Sequence, residues 1–328
     1  MSLKIDAVYL WCDGNDPEFQ REKNTALEKI GRKKDNSEIG NVRFVDNQEL
    51  KFSLRSIHKY LPWINHIYII TNKQTPSWFR KDEKITIVDH RQLIPESLLP
   101  TFNSVMIEMY INKIPGLSEN FLLFNDDFFI NSFLPPEFFF YNDKPIVRLI
   151  EDYNKWQFKS IQEADAVLEN PNTSSYRKSL INAWKLFSAH HGLSKFYVLT
   201  HTVDAFSISL FDKILSTYPA IISRNNTVFR EESNIQRVIF QMEMAKSFGC
   251  KFEQEHYLSF WEKRFPFIFK GKINCFEGTE SHKTWRRIRY LQPKMFCLNA
   301  DPNNTPEIKQ LSKANLQKLF PLRSPFEK

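Results

Sequence analysis

Asn125-Asp126-Asp127 interrupts an apolar run, with Phe121 to Phe124 before it and Phe128-Phe129-Ile130 after it. Adjacent carboxylates beyond a buried strand repel each other unless a cation lies close by. A divalent metal holding a diphosphate is one such cation: it is hard, takes oxygen ligands and completes its shell with substrate phosphates. The plainer alternative is a loop whose Asn and Asp cap the next segment. Asp13-Gly14-Asn15-Asp16 is similar in kind and also fits an Asp-Gly turn. Arg55 lies on the polar side of a helical stretch, where it either reaches a phosphate or is solvated. His201, between Thr200 and Thr202, is a candidate general base or phosphate ligand, against a satisfied, partly buried histidine. Arg230 precedes Glu231 and Glu232, so a salt bridge competes with phosphate binding. His190 and His191 are adjacent, project differently and make a poor metal pair, so a loop or cap is expected for them. Taken together, an acidic metal-binding rim, a basic group and a histidine are an inventory for handling a phosphate ester.

The elements that must carry these groups alternate. Ile5 to Trp11 reads as a buried strand, with the Asp13–Asp16 turn directly after it. Gln48 to Leu61 reads as a helix with Leu50, Leu54, Ile57 and Leu61 on one face and Pro62 as terminator. Ile67 to Thr71 and Ile85 to Val88 are short strand signals. Asn103 is placed to cap a helix running to Ile114, and Phe121 to Phe124 is a further strand. Such alternation predicts an α/β fold with a mostly parallel sheet, whose ligands bind beyond the carboxyl ends of its strands. That rule brings the Trp11–Asp16 turn, Thr71-Asn72 and Asn125–Asp127 to one rim. Residues 1–150 are read as the α/β core. Residues 151–328 are read as a more helical portion, with helices at Lys178–Phe187, Phe206–Leu215 and Ile235–Phe248, completing one integrated unit. The tail from Asn303 to Lys328 reads as a helix followed by an extended end.

Composition narrows the classes. The chain has 328 residues, is 42% hydrophobic and 25% charged, and contains 30 Phe, as a folded chain with a large aromatic core should. Its 8 glycines include no G-x-G-x-x-G and no P-loop pattern, so dinucleotide-binding and P-loop chemistry have no support. No apolar run reaches the ~18 residues of a membrane span, and no signal pattern opens the chain. Cys12, Cys250, Cys275 and Cys297 have no C-x-x-C spacing, which suits reduced thiols and a cytoplasmic setting. The net charge of +7 admits nucleic acid, an anionic lipid surface or a phosphorylated substrate as partner. Basic residues cluster at Arg21–Lys34 and at Lys283–Arg289 with Lys294. Neither forms an aromatic-interleaved stripe, so nucleic acid is not expected. The second cluster permits peripheral association with a membrane surface.

With these residues in view, the chain resembles the Stealth family of bacterial capsular and exopolysaccharide hexose-phosphate transferases, to which the animal lysosomal-enzyme N-acetylglucosamine-1-phosphotransferase is related. Four blocks carry the resemblance in order. They are Ile5 to Asp16; Arg43 to Ile57 with Trp63–Asn72, Leu99–Ser104, Ile114–Glu119 and Phe124–Asp127; His201 through Phe211-Asp-Lys-Ile-Leu to Arg230; and Phe296–Asn299 with Phe320–Glu327. The resemblance implies a glycosyltransferase-A-like core. It also implies transfer of hexose-1-phosphate from a UDP-hexose or UDP-N-acetylhexosamine to a hydroxyl of a glycan or phosphoglycan acceptor, with UMP as leaving group. It places Asp126, Asp127, His201, Arg230 and Asn299 in the active site, with Mg²⁺ or Mn²⁺ at Asp126 and Asp127. Asp13, Asp16, Arg55, Asn72, Asn103, Ser104 and Asn125 are further candidates for substrate positioning. Two departures stand out: Val203 replaces a frequent Pro, and Asn299 is followed by Ala300, with Asp301 one place later. A sugar-transferring enzyme releasing UDP is the competing activity, and a basic surface-binding module the competing non-enzymatic reading.

Overall fold

The computed structural model of the protein describes residues 3–31, 40–152, 157–301 and 303–328. The end of the first basic cluster, Arg32 to Lys34, lies outside them. Strand β1 (Ile5–Leu10) is buried along almost its whole length, as suits a central strand covered on both faces. Helix α1 (Pro17–Lys29) is capped by Asp16, which accepts from the amides of Glu18 and Phe19, and Pro17 opens it. Helix α2 (Glu49–Tyr60) buries the stripe Leu50, Leu54 and Ile57. Strands β2 (Ile67–Thr71) and β3 (Ile85–Asp89) follow. The helix expected from Asn103 to Ile114 is shorter. Helix α3 is Ser104–Glu108, and a separate 3-10 turn spans Ile111–Lys113. Val105, Met106, Ile107, Met109, Tyr110 and Ile111 are all buried, so packing on every side sets the path here, not one amphipathic stripe. Strand β4 (Asn120–Asn125) leads through Asp126 and Asp127 into β5 (Phe128–Ile130).

A small hairpin of β6 (Phe140–Tyr141) and β7 (Lys144–Pro145) precedes β8 (Val147–Glu151). Helices α4 (Ile161–Glu169) and α5 (Ser175–His191) are capped by Ser160 and Ser174, and β9 (Tyr197–Leu199) follows. His190 and His191 form the last turn of α5, not a loop, and His191 bonds Glu243 at 2.7 Å. The helix expected from Phe206 begins later, because Asp204–Ser207 is strand β10 and Ser207 caps helix α6 (Ile208–Thr217). Pairing with the exposed edge of β4 outweighs the helical pattern at Phe206. Helices α7 (Pro219–Asn225) and α8 (Val238–Ser247), strand β11 (Phe252–Glu255) and helix α9 (Phe260–Arg264) come next. Strand β12 (Cys275–Thr279), helix α10 (His282–Leu291), strand β13 (Met295–Asn299) and helix α11 (Pro306–Leu319) complete the order.

The main sheet has the order β10-β4-β1-β2-β3, with β10 its antiparallel member. Two three-stranded sheets, β11-β8-β9 and β12-β13-β5, flank it. The main sheet is cored on both faces by alternation. Ile5, Ala7 and Tyr9 of β1, Ile67 and Ile69 of β2, and Leu122 and Phe124 of β4 join the cluster under α2. Val8, Tyr68, Ile70, Phe121 and Leu123 join the opposite cluster, built with α5, α6 and α8. The two halves of the chain are interwoven: β10 completes the sheet of the first half, and β13 pairs with β5 through Cys297 and Phe128. The fold is thus an α/β architecture built on a mostly parallel sheet with helices packed against it. Among the described residues, no helix is long and apolar enough to cross a membrane.

Candidate active site

Strand register sets the site. Leu10 at the end of β1 pairs with Asn125 on one side and Ile70 on the other. The first residues beyond β1, β4 and β2 therefore share one rim, as open parallel sheets require. Because β10 runs antiparallel, it enters from that same rim, and His201 lies just before it. Strand β13 ends there too: the amide of Leu298 donates to the carbonyl of Asp127 at 3.2 Å. Strand β12 is parallel to β13 and sets Glu277 opposite Cys297.

A cavity of about 220 Å³ opens on this rim, with Trp11, Arg43, Ser104, Asp126, Asp127 and Arg230 among its lining residues. Ser104 accepts from the Arg230 guanidinium. Arg230 is held by an aromatic plug: Phe229 stacks on Phe102 at 5.1 Å, and Phe102 meets Phe19 at 5.3 Å. Gly14 matters here for close approach. Its amide donates to the Phe44 carbonyl, and a Cβ on it would collide with that carbonyl, so glycine lets the Arg43–Val45 segment close over the cavity.

The acidic side is electrostatically crowded. Burial, and then the charges of Asp127, Glu49 and Asp46, push the Asp126 carboxyl well above its usual range. Burial also raises Asp127, to about 6, against the Cys297 hydrogen bond and the His201 charge, which lower it. Glu49 is raised to about 7, chiefly by burial. Asp127 Oδ1 is buried without a hydrogen-bond partner among the described residues, whereas Oδ2 accepts from the Cys297 thiol at 3.4 Å. Crowded carboxylates with an orphaned oxygen fit a hard divalent cation. Among the described residues, no group of three or more His, Cys, Asp or Glu is assembled to hold a metal. What the residues present offer such a cation is a carboxylate pair, which suits Mg²⁺ when substrate phosphates and water supply the rest.

His201 is tightly held. Its Nδ1 is 2.9 Å from Glu277 Oε1, and its Nε2 is 2.9 Å from the Tyr176 hydroxyl. Its φ of 50° is left-handed, an uncommon conformation for a residue with a side chain. Burial lowers its pKa, but the hydrogen bond and charge of Glu277 outweigh that and leave it raised. Glu277 is correspondingly lowered, the His201 contacts prevailing over its burial. Asn299 donates to the same Glu277 oxygen at 2.7 Å. Glu277 and Tyr176 escaped the sequence reading, and Cys297 entered it only as a reduced thiol within the Phe296–Asn299 block. Cys-Phe-Glu-Gly-Thr is an unremarkable strand until β12 pairs with β13.

The other expected residues divide. Asp126, Asp127, Asn125, Ser104 and Arg230 line one cavity, and His201 and Asn299 meet at Glu277 beside it. Asn103 is buried and its amide is spent on Asn225, Thr227 and Asn234, so it ties the Ser104 and Arg230 loops together instead of facing a substrate. Asp16 is the α1 cap. Asp13 closes a local turn onto Asn15, and Asn72 bonds Glu22 of α1 at 2.8 Å. Arg55 is neither solvated nor part of the cavity lining. It is buried in a two-bond pair with Glu327 and also donates to the Phe320 carbonyl.

Family models described as Stealth protein CR1, conserved region 1, and Stealth protein CR2, conserved region 2, match residues 3–31 and 43–147. The chain is similar to the exopolysaccharide phosphotransferase cps2G of Lactiplantibacillus plantarum, 28% identical across 99% of this chain and 96% of that one. It is 39% identical to the capsular polysaccharide phosphotransferase eps5J of Streptococcus thermophilus, over 57% of this chain and 80% of that one. With the capsular polysaccharide phosphotransferase cps1A of Actinobacillus pleuropneumoniae it shares 44% over 42% of this chain, a match spanning 38% of that protein. Among solved structures, the galactosyltransferase LgtC with donor and acceptor sugar analogs aligns over 98% of both chains at 7% identity and a TM-score of 0.44. With both conserved regions matched in order and eps5J aligned over four fifths of its length, the chain belongs to the Stealth family of phosphotransferases.

Proposed function

We propose that the protein transfers hexose-1-phosphate from a UDP-hexose or UDP-N-acetylhexosamine to a hydroxyl of a capsular or exopolysaccharide acceptor, releasing UMP. The observation that carries this reading is the meeting of opposite charge in one cavity. The Asp126–Asp127 pair lines it together with the Arg230–Ser104 pair, and His201 stands on the adjoining loop. In this reading an acceptor oxygen bonds to the β-phosphorus as the bond to the UMP oxygen breaks. Arg230 binds the phosphoryl oxygens as they change geometry, and Ser104 fixes its guanidinium. His201 takes the acceptor proton at Nε2 once the Tyr176 hydroxyl gives way, and Glu277 at Nδ1 stabilises the imidazolium that results. Asp126 and Asp127 would hold Mg²⁺ or Mn²⁺, which when bound neutralises the diphosphate and the leaving nucleotide.

The test is the identity of the released nucleotide. Purified protein is incubated with Mg²⁺, a panel of UDP-sugars and short glycan acceptors. UMP released with one donor, together with a new phosphodiester in the product, is the expected result. UDP release would replace phosphotransfer by ordinary sugar transfer.

A further inference from the structure

Twelve large apolar side chains are exposed among the described residues, and five of them fall between Tyr257 and Ile268. Phe260, Trp261 and Phe267 are 69%, 61% and 63% exposed. They form a continuous ladder through Phe265: ring centroids lie 5.5 Å apart for Phe260–Trp261, 5.8 Å for Trp261–Phe265 and 6.4 Å for Phe265–Phe267. The segment beneath is well anchored. Ser259 and Glu262 form a reciprocal cap on α9, and Leu258 and Phe269 pack against the core built with α10 and α11. The aromatic tips are therefore held outward by a fixed base.

Charge is concentrated in this segment and in α10, which packs against its Pro266–Phe269 turn. Residues 259–272 and α10 together contain eight Lys or Arg and one acidic residue, leaving 37 of each sign in the rest of the chain. The single carboxylate, Glu262, is buried and committed to Ser259 and His256. Helix α10 presents Lys283, Arg286 and Arg289 to solvent. Lys263 and Arg287 reach a second cavity of about 200 Å³, which Tyr257 and Glu277 also line. That Glu277 is the residue holding His201.

We propose that this face, with Phe260, Trp261, Phe267 and Ile268 as its apolar tips and the α10 cations beside them, docks on an anionic bilayer surface. Both halves of its chemistry are then satisfied: aromatic rings enter the interfacial layer, and cations meet lipid phosphates. A second copy of this chain would bring like charge against like. A neutral glycan would leave the cations without use. Docking sets the His201 side of the site toward the membrane, so the acceptor is one presented at a lipid surface. That last clause rests on the phosphotransfer reading, whereas the docking does not.

The experiment is flotation of the full chain with vesicles of phosphatidylcholine alone or mixed with phosphatidylglycerol. Two variants are compared, Phe260→Ser/Trp261→Ser/Phe267→Ser and Lys283→Glu/Arg286→Glu/Arg289→Glu, with thermal unfolding as the control for folding. The wild type is expected to float with the anionic vesicles and to detach at high salt. Each variant is expected to bind about tenfold or more weakly at an unchanged unfolding temperature. Failure of the wild type to bind anionic vesicles overturns the proposal, as does binding by both folded variants at wild-type strength. A concentration-dependent dimer that the aromatic variant abolishes would assign the face to self-association and overturn it equally. Docking together with release of UDP instead of UMP sinks the phosphotransfer reading and leaves this one standing.

Discussion

Asp127 is a residue whose two oxygens have different fates: one meets the Cys297 thiol, and the other is buried without a partner among the described residues. Such an atom is costly unless something fills its coordination. Replacing Asp127 with Ala is expected to lower turnover about 10²–10³-fold, the loss typical of a group that stabilises developing charge, while the unfolding temperature stays the same or rises. Steady-state UMP release with a parallel melting curve measures both. Glu277 acts through another residue, and its variant should look different. Glu277→Gln is expected to reduce kcat by about tenfold or more with donor KM little changed. It should also shift the His201 ring titration downward by NMR, because the partner that raised it has lost its charge. An unmoved His201 titration would show that the pair does not orient the imidazole. Asn103 shows the limit of reading a residue by type: a polar side chain close to a site can be wholly occupied in holding two loops together.

At the scale of elements, the antiparallel strand β10 is decisive. A parallel strand would have put its amino end, and His201 with it, at the opposite edge of the sheet. Arg237, just before α8, holds β10 in place. It is buried and pairs with Glu108 of α3 at 2.9 Å and with Asp204 of β10 at 3.1 Å. Removing one member of such a buried network strands the others. Arg237→Leu is therefore expected to destabilise the protein by about 3–5 kcal/mol, measured by denaturant unfolding. A loss below about 1 kcal/mol would mean that the network is solvated on opening and does not fix β10. The helix signals at Phe206 and from Asn103 to Ile114 misled for one reason. Periodicity records which residues are apolar, and a stretch packed from several sides satisfies it without a regular helix.

Across the whole molecule, the chain's end is fastened to its beginning. Arg55 of α2 and Glu327 form a buried pair 272 positions apart in sequence. Burial raises the Glu327 carboxyl, but the Arg55 hydrogen bond and charge outweigh it, so it lies below the usual glutamate value of 4.5. A lowered folded pKa means that the pair stabilises the protein fully above about pH 4.5, and that this contribution is lost as pH falls through the folded value. Glu327→Gln should therefore cost about 3 kcal/mol at neutral pH and flatten the loss of stability on acidification. Unfolding followed from pH 7 to pH 3 compares the two slopes, and parallel slopes would exclude the pair as a source of acid sensitivity.

The sequence by itself determined the strand-and-helix alternation of the first half, the parallel character of most of the main sheet and the placement of Asn125–Asp127 at a strand's carboxyl end. These follow from local patterns: apolar runs of strand length, a helix stripe ended by proline, and a polar triplet between apolar runs. Only the tertiary structure decided that Glu277 would meet His201, that Arg55 would be consumed by Glu327, and that β10 would enter the sheet backwards. Each of these depends on a contact between residues distant along the chain. Such contacts are chosen by burial and by pairing of sheet edges over the whole fold, and local spacing carries no record of that choice.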